Sequence, residues 1–386
     1  MSDQVRSLKQ RFVFIDIYRT IIILLMLEGH VLRALLTSEY QRTTWFSFHE
    51  FFHGLSAPAF LFGAGLTFVI STRKRWEEYH HWGSPLARRV GRFLIIIGLG
   101  LAIHLPYFSF RKLMFETSFR EFSQLFQCDV LACIGIGLLS LHGVLFFFKK
   151  EAWFYNLVIG ISLALGILTP YMWQVNWLEY FPLPIAQLFN MNNGTQFPIF
   201  PFVGFLYAGV ITSWEYLVAV EKGKEKSFIK KLAYIGLAML IVGLIVEEIP
   251  GHEYGAHDFW YTCPTYFFIR MGALLVITAG VWFISRNVQA KTPWWTVMGR
   301  ESLLVYVLHL PILYGSIINT KFHLSKRIGM ELNMIESLAV FLLITLFLFG
   351  LAYFWNQLKT KQIRWYRVIQ LVMALTFLGF FFMKDY

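Results

Sequence analysis

Eleven apolar runs of about 20 residues dominate this chain, and each is long enough to cross the hydrocarbon core of a bilayer as a helix. Inside a membrane no water satisfies the backbone, so a spanning chain forms helices or a closed barrel, and runs of this length indicate helices. The composition agrees, since 57% of the 386 residues are hydrophobic and only 15% are charged. We therefore predict an all-α fold, a polytopic integral membrane helical bundle of about 11 transmembrane helices. The predicted spans are 12–37, 51–72, 90–108, 126–148, 152–173, 197–219, 232–249, 263–285, 297–318, 335–356 and 364–383.

Lysines and arginines between these spans are distributed unevenly. With the N-terminus in the cytoplasm, 22 of them fall on the cytoplasmic side and 8 on the opposite side. Arg6, Lys9 and Arg11 of the N-terminal segment and Lys291 of a later loop are among the 22. The positive-inside rule therefore predicts a cytoplasmic N-terminus and an extracytoplasmic C-terminus. The same asymmetry explains the net charge of +11, so no nucleic-acid partner is expected.

The first predicted span carries several ionisable residues, and Asp16, Arg19, His30 and Arg33 lie toward one side of the helix while Glu28 points the opposite way. Such residues are costly inside a membrane helix and mark a functional site by default. The eleven-residue step from Arg19 to His30 returns to within roughly 20° of the same direction and covers roughly 16 Å along the axis. We interpret this pattern as a polar stripe that faces the interior of the bundle, with His30 as a proton-handling group deep in it.

Polar residues of the other predicted spans fall into two groups by depth. In the predicted topology the cytoplasmic ends collect cations, whereas imidazoles, a carboxylate and an arginine gather toward the outer half. This distribution predicts a route between an anionic ligand on the inner side and a different ligand on the outer side. The inner group contains Arg89, Arg92 and Arg300, and the outer group contains His53, His104, Asp129, Arg270 and His309.

Arg89 and Arg92 belong to the basic run 88–92. They are three residues apart on a predicted helix and share a face, where guanidinium forks bind phosphate oxygens well. The ordinary basic flank of a transmembrane helix is the competing interpretation. Arg300, followed by Glu301, is a further cation for this site, although a structural ion pair explains it equally well.

His49 to His53 reads H-E-x-x-H, the pattern of zinc metalloproteases. Two imidazoles at i and i+4 share one metal ion on a helix, but catalytic zinc needs a third protein ligand. No second motif announces one, so we favour polar residues that line the outer mouth and expect no metal. Cys128, Cys133 and Cys263 are too few for a disulfide framework, and one bridge between Cys128 and Cys263 stays open.

Several motifs resemble the transmembrane acyltransferases, both the acyltransferase-3 family and the bacterial relatives of heparan-alpha-glucosaminide N-acetyltransferase. Asp16-Ile17-Tyr18-Arg19 followed by His30 is similar to their first helix, although Thr20 stands where the family usually has glycine. Arg89-Val90-Gly91-Arg92 resembles the R-x-x-R element that acyltransferase-3 proteins place on the cytoplasmic side before their third helix. The resemblance covers most of the chain in order and implies a single domain over residues 1–386. Further segments that resemble later helices are 55–65, 197–204 and 299–309.

The resemblance implies an enzyme of a bacterial cytoplasmic membrane that uses acyl-CoA, with acetyl-CoA as the expected donor. Arg89, Arg92 and Arg300 would bind the donor, and His30 would act as the base, with His53 as the second choice. The acceptor would be a hydroxyl or amine of an extracytoplasmic glycan or amino sugar. Residues that would orient or balance the catalytic site are Asp16, Arg19 and Asp129, and those on the acceptor side are Arg270, His309 and His104.

Three alternatives stay open at this point. A transient acyl group on His30 would replace direct proton abstraction. A secondary transporter would also need charges inside the membrane, although no internal repeat is visible. An H-E-x-x-H intramembrane metalloprotease is the third alternative. The acceptor, the acyl chain and the oligomeric state do not follow from the sequence.

Overall fold

The computed structural model describes residues 13–286, 294–317 and 319–384, and within them the architecture is helical. Of the charges used for the topology, Arg6, Lys9, Arg11 and Lys291 lie outside the described residues. The main helices, in chain order, are α1 (Val13–Leu35), α2 (Thr44–His53), α3 (Ser56–Thr72), α4 (Ser84–Ile103), α5 (Val130–Phe147), α6 (Glu151–Ile167), α7 (Ile199–Glu221), α8 (Glu225–Glu247), α9 (Pro264–Ser285), α10 (Val297–Arg300), α11 (Ser302–Leu313), α12 (Met334–Lys361) and α13 (Ile363–Met383).

Each predicted span corresponds to one of these helices or to a broken pair. In the described part of the chain, seven helical segments are long and apolar enough to cross a membrane: α2 with α3, then α5, α7, α8, α9, α12 and α13. The pair α10 and α11, bent by 75°, is an eighth if it counts as one span. The all-α polytopic fold is thus confirmed. The remaining crossings, by α1, α4 and α6, stay predictions.

Helices α1, α4 and α6 are not among the segments that are long and apolar enough to cross a membrane, and each has an identifiable reason. Helix α1 carries Asp16, Arg19, Glu28 and Arg33, so its hydropathy is diluted by the charges that made it a candidate for function. Helix α4 begins with a basic run, and α6 has only 17 residues. The charges that point to a functional role for α1 are thus the same ones that lower its hydropathy.

The chain divides into two compact units. Unit 1 contains residues 1–15, 57–102 and 126–289, and unit 2 contains residues 16–56, 103–125 and 290–386. In unit 1, small residues let helices approach closely, as membrane interfaces favour. A Cβ on Gly65 of α3 would lie 2.0 Å from the Leu206 carbonyl oxygen, and one on Gly209 of α7 would lie 2.1 Å from that of Phe62.

Unit 2 is built around α1. Just after α1, Leu36 forms an isolated parallel bridge with Leu332, close to the start of α12. Leu32, Leu36 and Phe46 form a buried apolar cluster against which Met334 packs. These contacts fix the C-terminal half of α1 against α2 and the start of α12.

Candidate active site

Three histidines from three helices of unit 2 meet around the C-terminal half of α1. They are His30 of α1, His53 at the end of α2 and His309 of α11. The rings of His30 and His309 stack with centroids 5.0 Å apart, and the rings of His30 and His53 meet edge to face at 5.5 Å. The predicted base, its predicted alternative and one predicted acceptor-side residue therefore form a single cluster.

A chain of hydrogen bonds runs through two of these rings. His309 Nδ1 lies 3.2 Å from the Val305 carbonyl oxygen, one turn earlier in α11. His309 Nε2 lies 2.8 Å from His30 Nδ1. Because a carbonyl oxygen only accepts, His309 Nδ1 carries the hydrogen, and the Nε2 atom of the neutral ring is an acceptor. His30 Nδ1 must then donate, which leaves the lone pair of His30 on Nε2.

Exposure separates the three imidazoles. His309 is 0% exposed and His53 is 4% exposed, whereas His30 is only half-buried. The Tyr314 hydroxyl donates to the His30 carbonyl oxygen at 3.1 Å, which ties α1 to the end of α11. Among the three rings, His30 is therefore the least buried.

Gly29 makes room for this arrangement. A Cβ on Gly29 would lie 1.7 Å from Nδ1 of His53, far inside van der Waals contact. The missing side chain lets His53 approach the α1 backbone beside His30. Sequence reasoning did not single out Gly29, although a lone glycine inside a helix next to a candidate histidine was a usable signal.

The H-E-x-x-H residues are engaged with α1. His49 Nε2 lies 2.8 Å from a carboxylate oxygen of Glu28. Arg33 donates to Glu50 through Nε at 2.9 Å and through a second, closer guanidinium contact. The glutamate that a metalloprotease would use as base is thus held by an arginine.

The metal-binding potential of the described residues lies elsewhere. Their one group of three or more metal-ligating side chains with ligand atoms within 4.8 Å is Glu247, His252 and Cys263 of unit 1. Among the described residues, His49 and His53 do not form such a group with any third ligand. Cys128, Cys133 and Cys263 are all free thiols, so the open disulfide alternative is not formed.

The N-terminal half of α1 meets the bend between α10 and α11. Arg19 donates from Nη2 to the Ser302 hydroxyl at 2.6 Å. Thr20 donates to the Asp16 carbonyl oxygen at 2.8 Å and accepts from the Gly299 amide at 3.2 Å. A Cβ on Gly299 would lie 2.5 Å from the Asp16 carbonyl oxygen. Thr20, the departure from the family pattern, thus bonds to the backbone at this crossing.

Glu301, which follows Arg300, forms an ion pair with Lys359 of α12. Glu301 accepts from Asn356 Nδ2 at 2.8 Å and from Lys359 Nζ at 3.0 Å, both on α12. Arg300 is half-buried at the end of α10. Glu301 therefore anchors α12, and Arg300 remains a proposed donor contact.

The basic run of α4 belongs to unit 1 and contains two different arginine environments. Arg89 is 7% exposed and donates from Nη2 to the Thr72 hydroxyl at 2.6 Å. Its guanidinium also lies 4.5 Å from the ring centre of Phe68 and 4.6 Å from that of Tyr79. Arg92 is exposed. Arg89 thus joins α4 to α3, while Arg92 is open to a ligand.

The other predicted site residues are distributed over both units. Asp129 is the N-cap of α5 and accepts from the Ala132 amide at 2.7 Å, which satisfies one free amide of the first turn. Arg270 is buried in α9, with its guanidinium 4.0 Å from the ring centre of Tyr266. His104, in unit 2, is half-buried directly after α4. Asp129 and Arg270 belong to unit 1, so of these three only His104 shares a unit with the histidine cluster.

Comparison with known protein families gives one match. The profile described as "Heparan-alpha-glucosaminide N-acetyltransferase, catalytic" matches residues 11–247, more than half of the chain. The matched part includes His30, His53, Arg89 and Arg92, whereas His309 lies beyond it. No curated protein sequence matches the chain.

Proposed function

The chain belongs to the heparan-alpha-glucosaminide N-acetyltransferase catalytic family, and from that premise we propose that it transfers an acyl group, with acetyl expected, from cytoplasmic acyl-CoA. The acceptor is a hydroxyl or amine of an extracytoplasmic glycan or amino sugar. The protein then lies in a bacterial cytoplasmic membrane with its N-terminus inside. Its partners are the donor, the carbohydrate acceptor and the surrounding lipid.

The observation that carries the proposal is the hydrogen-bond chain from Val305 through His309 to His30. It leaves a lone pair on Nε2 of the least buried ring. General base catalysis needs such an atom, oriented and unprotonated, within reach of the proton it removes. His309, assigned to the acceptor side from the sequence, acts here as a positioning residue behind His30.

The reaction follows from that geometry. His30 Nε2 takes the proton of the acceptor O–H or N–H while the acceptor atom attacks the thioester carbonyl carbon. The C–S bond then breaks, and the CoA sulfur leaves with the proton returned by the His30 imidazolium. His309 accepts the Nδ1 hydrogen throughout and holds the ring in one orientation.

The covalent alternative uses the same nitrogen. His30 Nε2 would attack the thioester and carry the acyl group until the acceptor arrives. Direct transfer and the covalent route differ in how much CoA is released when acyl-CoA is supplied without an acceptor. A covalent route releases one CoA per chain without acceptor, whereas direct transfer releases none.

The donor lies along α1 in this proposal. Arg19 and His30 are on one face, roughly 16 Å apart by helix rise, a distance that a pantetheine arm spans. Arg300, at the end of α10, binds phosphate oxygens of the donor. For Arg89 and Arg92 of unit 1, contact with the donor stays the expectation that the family resemblance gives. Asp16 and Asp129 hold local backbone and helix geometry.

The decisive experiment measures CoA thiol release by the purified full-length protein in lipid nanodiscs. Acetyl-CoA is supplied with a panel of amino-sugar and oligosaccharide acceptors. We expect acceptor-dependent release by the wild type and none above background by His30→Ala. Solute uptake by the same protein reconstituted into sealed proteoliposomes, without any CoA release, would instead indicate the secondary transporter.

A further inference from the structure

A second chemically distinctive cluster lies in unit 1, where α8 ends and α9 begins. Glu247 is the last residue of α8, Cys263 directly precedes α9, and His252 lies in the loop between them. The two helices pack closely, since a Cβ on Gly236 would lie 2.7 Å from the Gly272 carbonyl oxygen. Their close packing brings a carboxylate, an imidazole and a thiol together outside the proposed active site.

The orientation of His252 is set by the backbone. Its Nδ1 lies 2.8 Å from the Ile249 carbonyl oxygen and therefore donates to it. Its Nε2 then faces Glu247 Oε2 at 3.3 Å. A backbone carbonyl on one ring nitrogen is the usual arrangement that aims the other nitrogen at a metal ion.

His252 Nε2 and Glu247 Oε2 are both electron-rich, so at 3.3 Å they repel each other unless a proton or a metal ion binds to them. A proton on Nε2 would place the pair in a hydrogen bond, but among the described residues His252 Nε2 has no partner with hydrogen-bond geometry. A cation that binds both His252 Nε2 and Glu247 Oε2 is therefore better placed to one side of the line between these two atoms. The Cys263 thiol is a third group at the same place, and its Sγ donates to the same Glu247 oxygen at 3.4 Å.

The separations fit a tetrahedral metal ion. Zinc bonds to oxygen, nitrogen and sulfur at about 2.0–2.3 Å, so its ligand atoms lie about 3.3–3.8 Å apart. The two contacts of Glu247 Oε2, at 3.3 Å and 3.4 Å, lie in this range. We propose that Glu247, His252 and Cys263 bind one Zn²⁺ or a similar borderline divalent ion, with the fourth position taken by water.

Neighbouring groups support the site. The Thr265 hydroxyl contacts the Cys263 sulfur at 2.6 Å and also donates to Glu247, so it orients two of the three ligands. The thiolate is the form of cysteine that binds a metal ion, so metal binding must displace the proton of Cys263. The ion joins the end of α8 to the start of α9. It revises the expectation of no metal, at a place unrelated to the H-E-x-x-H motif.

The test titrates Co²⁺ into the metal-stripped, full-length protein in detergent and follows absorption, because cobalt bound to a thiolate gives a strong charge-transfer band. We expect one Co²⁺ per chain with that band and its loss when Zn²⁺ is added in equal amount. A wild-type protein without the band has only a proton between His252 and Glu247, and the proposal is then wrong.

Variants locate the ligands. Cys263→Ala should abolish the thiolate band, and His252→Ala should weaken Co²⁺ binding at least 10-fold. The matched control is Cys128→Ala, which removes another buried free thiol and should leave the band unchanged.

If Cys263→Ala does not fold, cobalt-dependent protection of the wild-type Cys263 thiol from alkylation decides the question. A band retained in Cys263→Ala, or a thiol alkylated equally with and without Co²⁺, would overturn the assignment. The readout needs no turnover, so it is independent of the proposed acyl transfer.

Discussion

The position of one hydrogen atom decides whether His30 is a base. A neutral imidazole has one donor and one acceptor nitrogen, and neighbours choose between the two forms. At His30 the choice is made by His309, and at His309 it is made by the Val305 carbonyl. His309, a residue far along the sequence, thus leaves the lone pair of the proposed base on Nε2 of His30.

The first prediction concerns His30 itself. His30→Ala removes the least buried imidazole of the cluster, so turnover should fall by about 10² or more while donor binding and fold persist. Steady-state CoA release, donor binding by calorimetry and thermal unfolding measure the three effects. The exposed His81→Ala is the control and should behave as wild type. Wild-type turnover in a folded His30→Ala protein would transfer the role to His53.

The second prediction concerns His309 as a positioning residue. His309→Leu removes the acceptor of the His30 Nδ1 hydrogen, so the hydrogen is free to move to Nε2 and block the base. We expect kcat to fall by about 10² with the donor KM unchanged, since an incorrect tautomer is costly in comparable catalytic groups. His309→Gln keeps an acceptor oxygen and should recover part of kcat. Equal loss in both variants would indicate a packing role only.

The sequence predicted individual residues better than their contacts. His30 stood out because an imidazole in an apolar run is costly unless it is used, and His309 stood out for the same reason. Their hydrogen bond joins positions 279 residues apart, and no local pattern encodes it. Arg89 was predicted only as a phosphate ligand because burial against Phe68 and Tyr79 depends on how three segments fold together.

At the scale of helices, the absence of a side chain at Gly29 allows α1 and α2 to pack closely. Gly29 lets the end of α2 lie against α1, so His53 packs where a methyl group would otherwise be. Apolar runs predicted most of the main helices, because length and hydropathy are local properties, but α2 lies mostly before the predicted span 51–72. The break between α2 and α3 and the 75° bend between α10 and α11 were not predicted, although polar residues, His53 with Gly54 at the first and Arg300 with Glu301 at the second, stand at both places.

The third prediction tests this close approach. Gly29→Ala forces His53 or α1 to move, so it should cost about 1–3 kcal/mol of stability, as overpacking usually does, and lower turnover. Thermal unfolding in detergent and CoA release measure the two effects. The control is Gly160→Ala in α6, where a Cβ meets no atom within 4 Å. Equal melting temperatures for Gly29→Ala and Gly160→Ala would show that α1 and α2 are not in close contact there.

The fourth prediction separates the two arginines of α4. Arg92→Gln should raise the donor KM about 3- to 10-fold and reduce its salt dependence without a change in melting temperature. Arg89→Gln should lower the melting temperature, because the bond to Thr72 and the contacts with two aromatic rings are lost. Lys150→Gln removes another exposed cation and serves as the control. An unchanged KM in Arg92→Gln would leave it only a topological role.

At the scale of the whole molecule, the proposed chemistry requires two aqueous compartments. The predicted topology gives the cytoplasm most of the basic residues and places His30 toward the opposite side of the bilayer. The single domain predicted over residues 1–386 remains a prediction beside the two compact units of the structure. Side preference is encoded by loop charges and stays a prediction, whereas the division into units depends on long-range packing, which no local pattern encodes.

The fifth prediction measures sidedness. In sealed vesicles of known orientation, acetyl-CoA supplied on the side of Arg92 should acetylate an acceptor that is enclosed on the opposite side. Radiolabel should appear in the acceptor compartment while CoA stays with the donor. Vesicles that carry His30→Ala control for leakage. A requirement for both substrates on one face would refute transfer across the membrane, even if the protein is an acyltransferase.

The bond from His309 to the Val305 carbonyl has a consequence for genetics. The group that selects the tautomer is part of the main chain, so any L-amino acid at position 305 supplies it. A complete mutational scan would score position 305 by side-chain packing and would miss its chemical contribution. Chemical synthesis reaches it, because an ester in place of the amide between Val305 and Tyr306 weakens that carbonyl as an acceptor and keeps every side chain.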